Sequence, residues 1–232
     1  MSKIYLLKIT QTMWLAAATI AMITMTGCAT EAHRTLEPQV VKSHGTTYNG
    51  PKYALMVGKF QNRSSYMQGI FSNGLDQVGN QAKTILKTHL QMTNRFTVVD
   101  RQNMDEIARE ADLRGETQTL MGAQVTITGD VTEFGRRTTG DHQLFGILGS
   151  SKKQVAYAKV ALNVVDTKTS IIIYSVQGAG EYELNNREVV GFGGTASYDA
   201  TLNGKVLNLA ITEVVNNLVD GLQHGEWSPS GK

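Results

Sequence analysis

The chain has 232 residues, 22 basic against 20 acidic side chains, and a single cysteine, Cys28. So even a balance excludes binding nucleic acid through bulk charge, and one cysteine excludes an intrachain disulfide, so a core must hold the fold. Low aromatic content, 7%, and 23 glycines favour strands and turns over a helical bundle.

In chain order, Lys3 and Lys8 are the only charges before Cys28, and the apolar stretch from Met13 to Ile23 follows them. That stretch suits a signal-peptide core and is too short for a membrane-crossing helix, which needs roughly 20 residues. Met25-Thr26-Gly27-Cys28 then resembles the lipobox of bacterial lipoproteins, with Met25 where that motif usually has Leu. Small residues before the cysteine let an extended chain enter the processing peptidase, and the thiol accepts the lipid. The bland readings are a buried cysteine or an ordinary secreted protein; placement directly after the apolar stretch favours lipid. Ala29 resembles the outer-membrane sorting pattern rather than an aspartate retention signal. Residues 1–27 are therefore predicted to be a cleaved signal peptide, and losing Lys3 and Lys8 leaves the mature chain formally neutral.

Residues 28–52 are polar, hold Pro38 and Pro51, and show no sustained period. They read either as a flexible tether or as a segment packed along the domain surface. The domain is predicted over residues 53–227, with 228–232 a tail. Its first strand is the apolar run Tyr53-Ala54-Leu55-Met56-Val57-Gly58-Lys59-Phe60. After a polar loop, Leu75, Val78, Ala82, Ile85, Leu86 and Leu90 make one apolar face of a helix. Phe96-Thr97-Val98-Val99 is the next strand. Asp100 is the expected cap of a second helix with Met104, Ile107, Ala108 and Ala111 on its inner face.

From Gln124 the period changes to two. Val125, Ile127 and Val131 alternate with polar residues, and Ala156, Ala158, Val160, Leu162 and Val164 do so more cleanly. A second strand pair is predicted around a turn at Asn185-Asn186. A last helix carries Leu207, Ala210, Ile211, Val214, Leu218 and Leu222, followed by Trp227. Two long hairpins, residues 124–166 and 171–198, leave edges that one subunit cannot easily satisfy, which points to assembly.

Four short pieces, in this order behind a lipobox, carry a resemblance: Phe96-Thr97-Val98-Val99-Asp100-Arg101, Ile127-Thr128-Gly129-Asp130-Val131, Asn163-Val164-Val165-Asp166 and Gly225-Glu226-Trp227. The chain resembles the curli production assembly/transport lipoproteins, the CsgG family, over roughly residues 52–227. The resemblance implies an α+β fold: a TolB-N-like α/β periplasmic core with two long β-hairpins able to contribute to an oligomeric β-barrel. It also implies a homo-oligomer, an outer-membrane location through the lipid anchor, and an exported protein as cargo. A pore-narrowing loop would fall before the first helix, where Tyr66, Phe71 and Asn73 match in residue type but not in order. For this loop, Phe71 as a staple on the helix and Tyr66 as a surface aromatic is the competing reading.

Charges at Arg136, Arg137, Asp141 and His142, and around Glu181 to Glu188, leave little apolar face for lipid. Periplasmic hairpins on an accessory lipoprotein, binding another cell-envelope protein or the peptidoglycan machinery, are the alternative. No enzyme is expected. Gly191-Phe192-Gly193-Gly194-Thr195-Ala196 fits a dinucleotide string but opens no helix, and His33, His44, His89, His142 and His224 have no metal-ligand spacing. The reading therefore assigns no cofactor, no metal and no nucleic-acid partner.

Overall fold

The computed structural model describes residues 39–66, 76–142, 150–188 and 201–229, and side chains for these except 138–142, 150–154, 184–188 and 201–203. All of them belong to one compact unit that begins at Gln39.

The first apolar run forms β1 (Tyr53–Asn62), and the second forms the short β2 (Phe96–Val99), paired parallel to it. Between them lies α1 (Gln77–Met92). Asp76 starts this helix: one carboxylate oxygen accepts from the Gly79 amide at 2.7 Å and the other from the Asn62 amide at 2.7 Å. A single side chain thus supplies an N-cap and ties off the end of β1. From Val78 on, the expected apolar face is the observed one, with Val78, Ala82, Leu86 and Leu90 buried and Ile85 partly so; Leu75 lies outside the described residues.

The second expected helix exists as α2 (Met104–Leu113), but it differs from expectation in two ways. Asp100 is not its cap. Its carboxylate instead accepts from the Gln102 amide, from the Asn103 side chain and from Lys87, closing a turn ahead of the helix. Asn103 occupies the cap position without a side-chain cap bond, and none of the helix residues is buried. Of the expected inner face, Met104, Ala108 and Ala111 are half-buried and Ile107 is exposed, so this is the less exposed side of the helix without entering the core.

Three long strands follow: β3 (Val125–His142), β4 (Ser150–Asp166) and β5 (Ile172–Glu188). The sheet order is β2-β1-β3-β4-β5, parallel across β2, β1 and β3 and antiparallel across β3, β4 and β5. Register shifts in β1 after Val57 and in β3 after Val131 change the parity, so that Phe60 and Phe134 stay in the core. The turn expected at Asn185-Asn186 is absent. Both residues continue β5, opposite Lys153 and Lys152, because β4 is long enough to pair them, and a continued ladder satisfies backbone groups that a turn would leave open. The chain beyond Glu188, and with it the return strand of that expected hairpin, lies outside the described residues up to 200.

The chain closes with α3 (Thr201–Gln223), which lies across β5 and β4. Contact is close because β5 has glycines where the helix passes: a Cβ on Gly178 would come within 2.4 Å of the Val214 amide, and one on Gly180 within 2.6 Å of the Leu209 Cβ. Val206, Leu207, Ala210, Ile211, Val214 and Leu218 then fill the core with the inward residues of β3 and β4. Residues 39–50, left open between free tether and packed segment, are tied to the domain. Val41 is buried in the same core, and the Lys42 amide donates to Asn216 on α3 at 2.9 Å.

Candidate functional site

Cys28, Phe71 and Asn73 lie outside the described residues, as does the Gly191–Ala196 string. Tyr66 is described, and it is not a free surface aromatic: its ring packs edge-on against Phe134 at 4.9 Å. Its carbonyl accepts from the Asn62 side chain and its amide donates to Ser64 Oγ, so this turn is fixed to the ends of β1 and β3.

The helices α1 and α3 cover one face of the sheet. On the other, the outward residues of β3, β4 and β5 include Glu133, Arg137, Lys159 and Glu181. Lys159 pairs with Glu133 across the strands at 2.7 Å, and Arg137 with Glu181 at 3.4 Å. All four side chains are more than half or half exposed, so each pair is worth at most about 1 kcal/mol. Together with Tyr157 and Ala179 they line a shallow groove of about 580 Å³. The face is amphipathic and wet, suited to a polar surface or a lumen rather than to lipid.

Beside that face runs the outer edge of β5. No described strand pairs with the outward amides and carbonyls of its 17 residues, and the strand expected to return beside it falls in residues 189–200, outside the described ones. Among these groups the Gln177 carbonyl is served from within the domain, by Asn217 of α3 at 3.0 Å.

Two buried polar clusters went unnoticed in the sequence. Arg95 sits under the N-terminal segment, donating to the Thr93 and Ser43 carbonyls and to Thr46 Oγ1 at 2.8 Å, with the Tyr48 ring 4.7 Å away. His89 joins α1 to Asn208 of α3 at 2.7 Å, and Asn208 reaches Gln39 at 3.1 Å. Both fix the first described residues to the domain; neither had a signal in spacing, because their partners are up to 123 residues distant.

The short pieces that carried the resemblance prove to be joints. Asp166, buried, accepts from the Lys168 and Thr169 amides and closes the turn between β4 and β5. Arg101 donates to the Met121 carbonyl. Trp227, buried, donates to the Leu218 carbonyl at 3.1 Å and stacks between Phe96 of one edge strand and Tyr174 of the other. Tyr174 donates to Glu226 at 2.8 Å, and burial first, then that carboxylate, pushes its hydroxyl above the usual tyrosine range. Hydrogen bonds to the Asp100 carboxylate, the Gln102 amide foremost, hold that group below the usual aspartate range. Among the described residues, no group of three or more His, Cys, Asp or Glu side chains could hold a metal ion, and no helix is long and apolar enough to cross a membrane.

A protein of Neisseria meningitidis serogroup B named "Putative lipoprotein NMB1126/NMB1164" is 59% identical over 210 residues, covering 90% of this chain and 94% of that one. Among solved structures, the PelC dodecamer from Paraburkholderia phytofirmans is 13% identical, covering 79% of this chain and 95% of that one, with a TM-score of 0.34. Lipoprotein GNA1162 from Neisseria meningitidis is 12% identical, covering 75% and 100%, also at 0.34. The family model described as curli production assembly/transport component CsgG matches residues 44–230, which takes in every described strand and helix, and the chain belongs to the CsgG family.

Proposed function

We propose that this chain is an envelope lipoprotein, anchored through Cys28, that assembles with copies of itself into an assembly or transport component at the outer membrane. The observation that carries the reading is the outer edge of β5, 17 residues long and without a partner among the described strands, on a sheet with one face covered by helices. An edge of that length is a liability in a monomer and a joint in an oligomer, since pairing with a neighbour satisfies its backbone groups. The family's role in curli production supports protein export as the task. Tyr66, Phe71 and Asn73 are the candidates for narrowing a shared pore. For Tyr66 to reach a lumen, it has to give up its contact with Phe134.

A second reading is favoured by the charged pairs Lys159–Glu133 and Arg137–Glu181, which interrupt any apolar band on the bare face. On that reading the sheet stays in the periplasm, and the protein is an accessory factor that binds another envelope protein or the peptidoglycan machinery.

Light scattering of the full-length lipoprotein in mild detergent separates the two. A particle several times the 25.3 kDa chain supports assembly; a strictly monomeric protein leaves the accessory reading. The anchor has its own test. Wild type should incorporate radiolabelled palmitate and Cys28→Ala should not; label retained by the variant places the lipid elsewhere.

A further inference from the structure

Seven large apolar side chains are exposed among the described residues, and all but Val40 fall in two places. Ile107, Leu113, Leu120 and Met121, 42–76% exposed, lie on α2 and the loop after it; Ile171 and Ile172, both more than half exposed, open β5. Scattered exposed apolar residues mean little, but grouping into two patches does. We propose that the two patches meet in trans: α2 and its loop on one copy seat against the Ile171 and Ile172 corner of the next. The proposal rests on the assembly reading and names the surfaces that would make it.

Three observations support it. First, α2 has 10 residues, none buried, and an apolar face at helical spacing. A helix so short is marginal in water without a packed face, and with Met104, Ala108 and Ala111 only half-buried and Ile107 and Leu113 exposed it has apolar surface left for a partner to cover. Second, the patches lie on one row of the sheet at opposite edges. Val99 pairs with Met56, Met56 with Thr126, Thr126 with Val165 and Val165 with Ile172. The α2 region begins directly after Val99 at one end of that row, and Ile172 is the other end. A neighbour placed side by side, without vertical shift, brings one patch to the other. Third, α2 has the carboxylates Asp105, Glu106, Glu110 and Asp112 against Arg109 alone, whereas in the turn leading to the corner Asp166 is buried and the exposed charge is Lys168. Their charges are opposite in sign.

Because the patches differ, the contact is heterologous. It propagates from copy to copy and closes into a ring if the rotation allows, as an isologous dimer contact cannot. It also sits at one end of the β5 edge that no described strand covers, so both features belong to one interface.

The test uses the full-length lipoprotein in mild detergent and two double variants, Leu113→Glu with Leu120→Glu, and Ile171→Glu with Ile172→Glu. Each alone should fall to the mass of one chain, and an equimolar mixture should form a heterodimer and nothing larger, because one intact pair of patches survives. A third variant, Leu113→Cys with Ile172→Cys, should give a covalent ladder under mild oxidant and guards against misfolding of the charged variants. Wild-type particles with both charged variants at wild-type mass and no ladder would overturn the pairing while leaving the assembly reading intact. A monomeric wild type would remove the assembly reading itself, and the pairing with it.

Discussion

The helices α1 and α2 each follow a strand of the parallel part of the sheet, and each repeats apolar residues at three- and four-residue steps. In α1 that stripe is the core: Leu86 and Leu90 are fully buried beneath the helix and the Asp76 cap fixes its first turn. In α2 the same kind of stripe is only half-buried at Met104, Ala108 and Ala111 and is exposed at Ile107, and its cap position makes no side-chain bond. What α2 does have is a formed C-terminus. The Glu116 amide donates to the Ala111 carbonyl and the Gly115 amide to that of Asp112, with Gly115 in the left-handed conformation at φ 69°. An amphipathic period thus states that a face needs burial, not which chain buries it. Where the domain leaves such a face open while still shaping the helix that carries it, the missing surface is the next thing to look for.

The largest expected effect breaks the comparison at its strong side. Leu86→Ala should cost about 2–5 kcal/mol, since it removes a fully buried side chain and leaves a cavity under α1. Leu113→Ala on α2 should change the stability of the monomer by no more than about 0.5 kcal/mol. Urea unfolding of dilute monomer gives both numbers from the midpoints at unchanged slope. Equal losses would mean that α2 is as much a part of the core as α1.

The same pair explains how far the sequence could be read. The buried stripes of α1 and α3 and the parity of β3 and β4 were legible, because each depends on a local period plus one shared core. The inner face of α2 was legible in direction but not in depth: Met104, Ala108 and Ala111 are its half-buried residues, Ile107 is exposed, and none of them reaches the core. Asn185-Asn186 misled because turn propensity is weak against a ladder of 17 residues whose partner strand is equally long. Asp100 was assigned to the right junction and the wrong bond, since an Asp can close a turn or cap a helix with the same carboxylate. At the candidate site, the need for an open edge could be inferred from strand length, whereas its identity as β5 could not. That depends on sheet order, which the sequence does not print. Arg95 and His89 were invisible, as their partners are brought together only by the packing of α1, α3 and the N-terminal segment.

The smallest effect on overall stability is the most discriminating. Gly115 has open space around its Cα, so Gly115→Ala meets no neighbour and pays only for a left-handed backbone, about 1–2 kcal/mol. If α2 opens locally, without the core, that cost falls on the helix alone. Hydrogen exchange of the α2 amides in the monomer should then quicken by about 5–30-fold, the ratio such an energy implies, while the amides of Leu86 and Leu90 on α1 keep their rates. The unfolding midpoint should stay where it is, because the state in which α2 is frayed is already close in energy to the native one. Should α1 and α2 amides quicken together, the two helices form one cooperative unit and the contrast between them is gone. In the assembled protein the expectation reverses for α2. A helix seated on the Ile171 and Ile172 corner of a neighbour can no longer fray alone, so its amides should slow toward those of α1. The Gly115→Ala penalty should then appear as weakened assembly instead of faster local exchange.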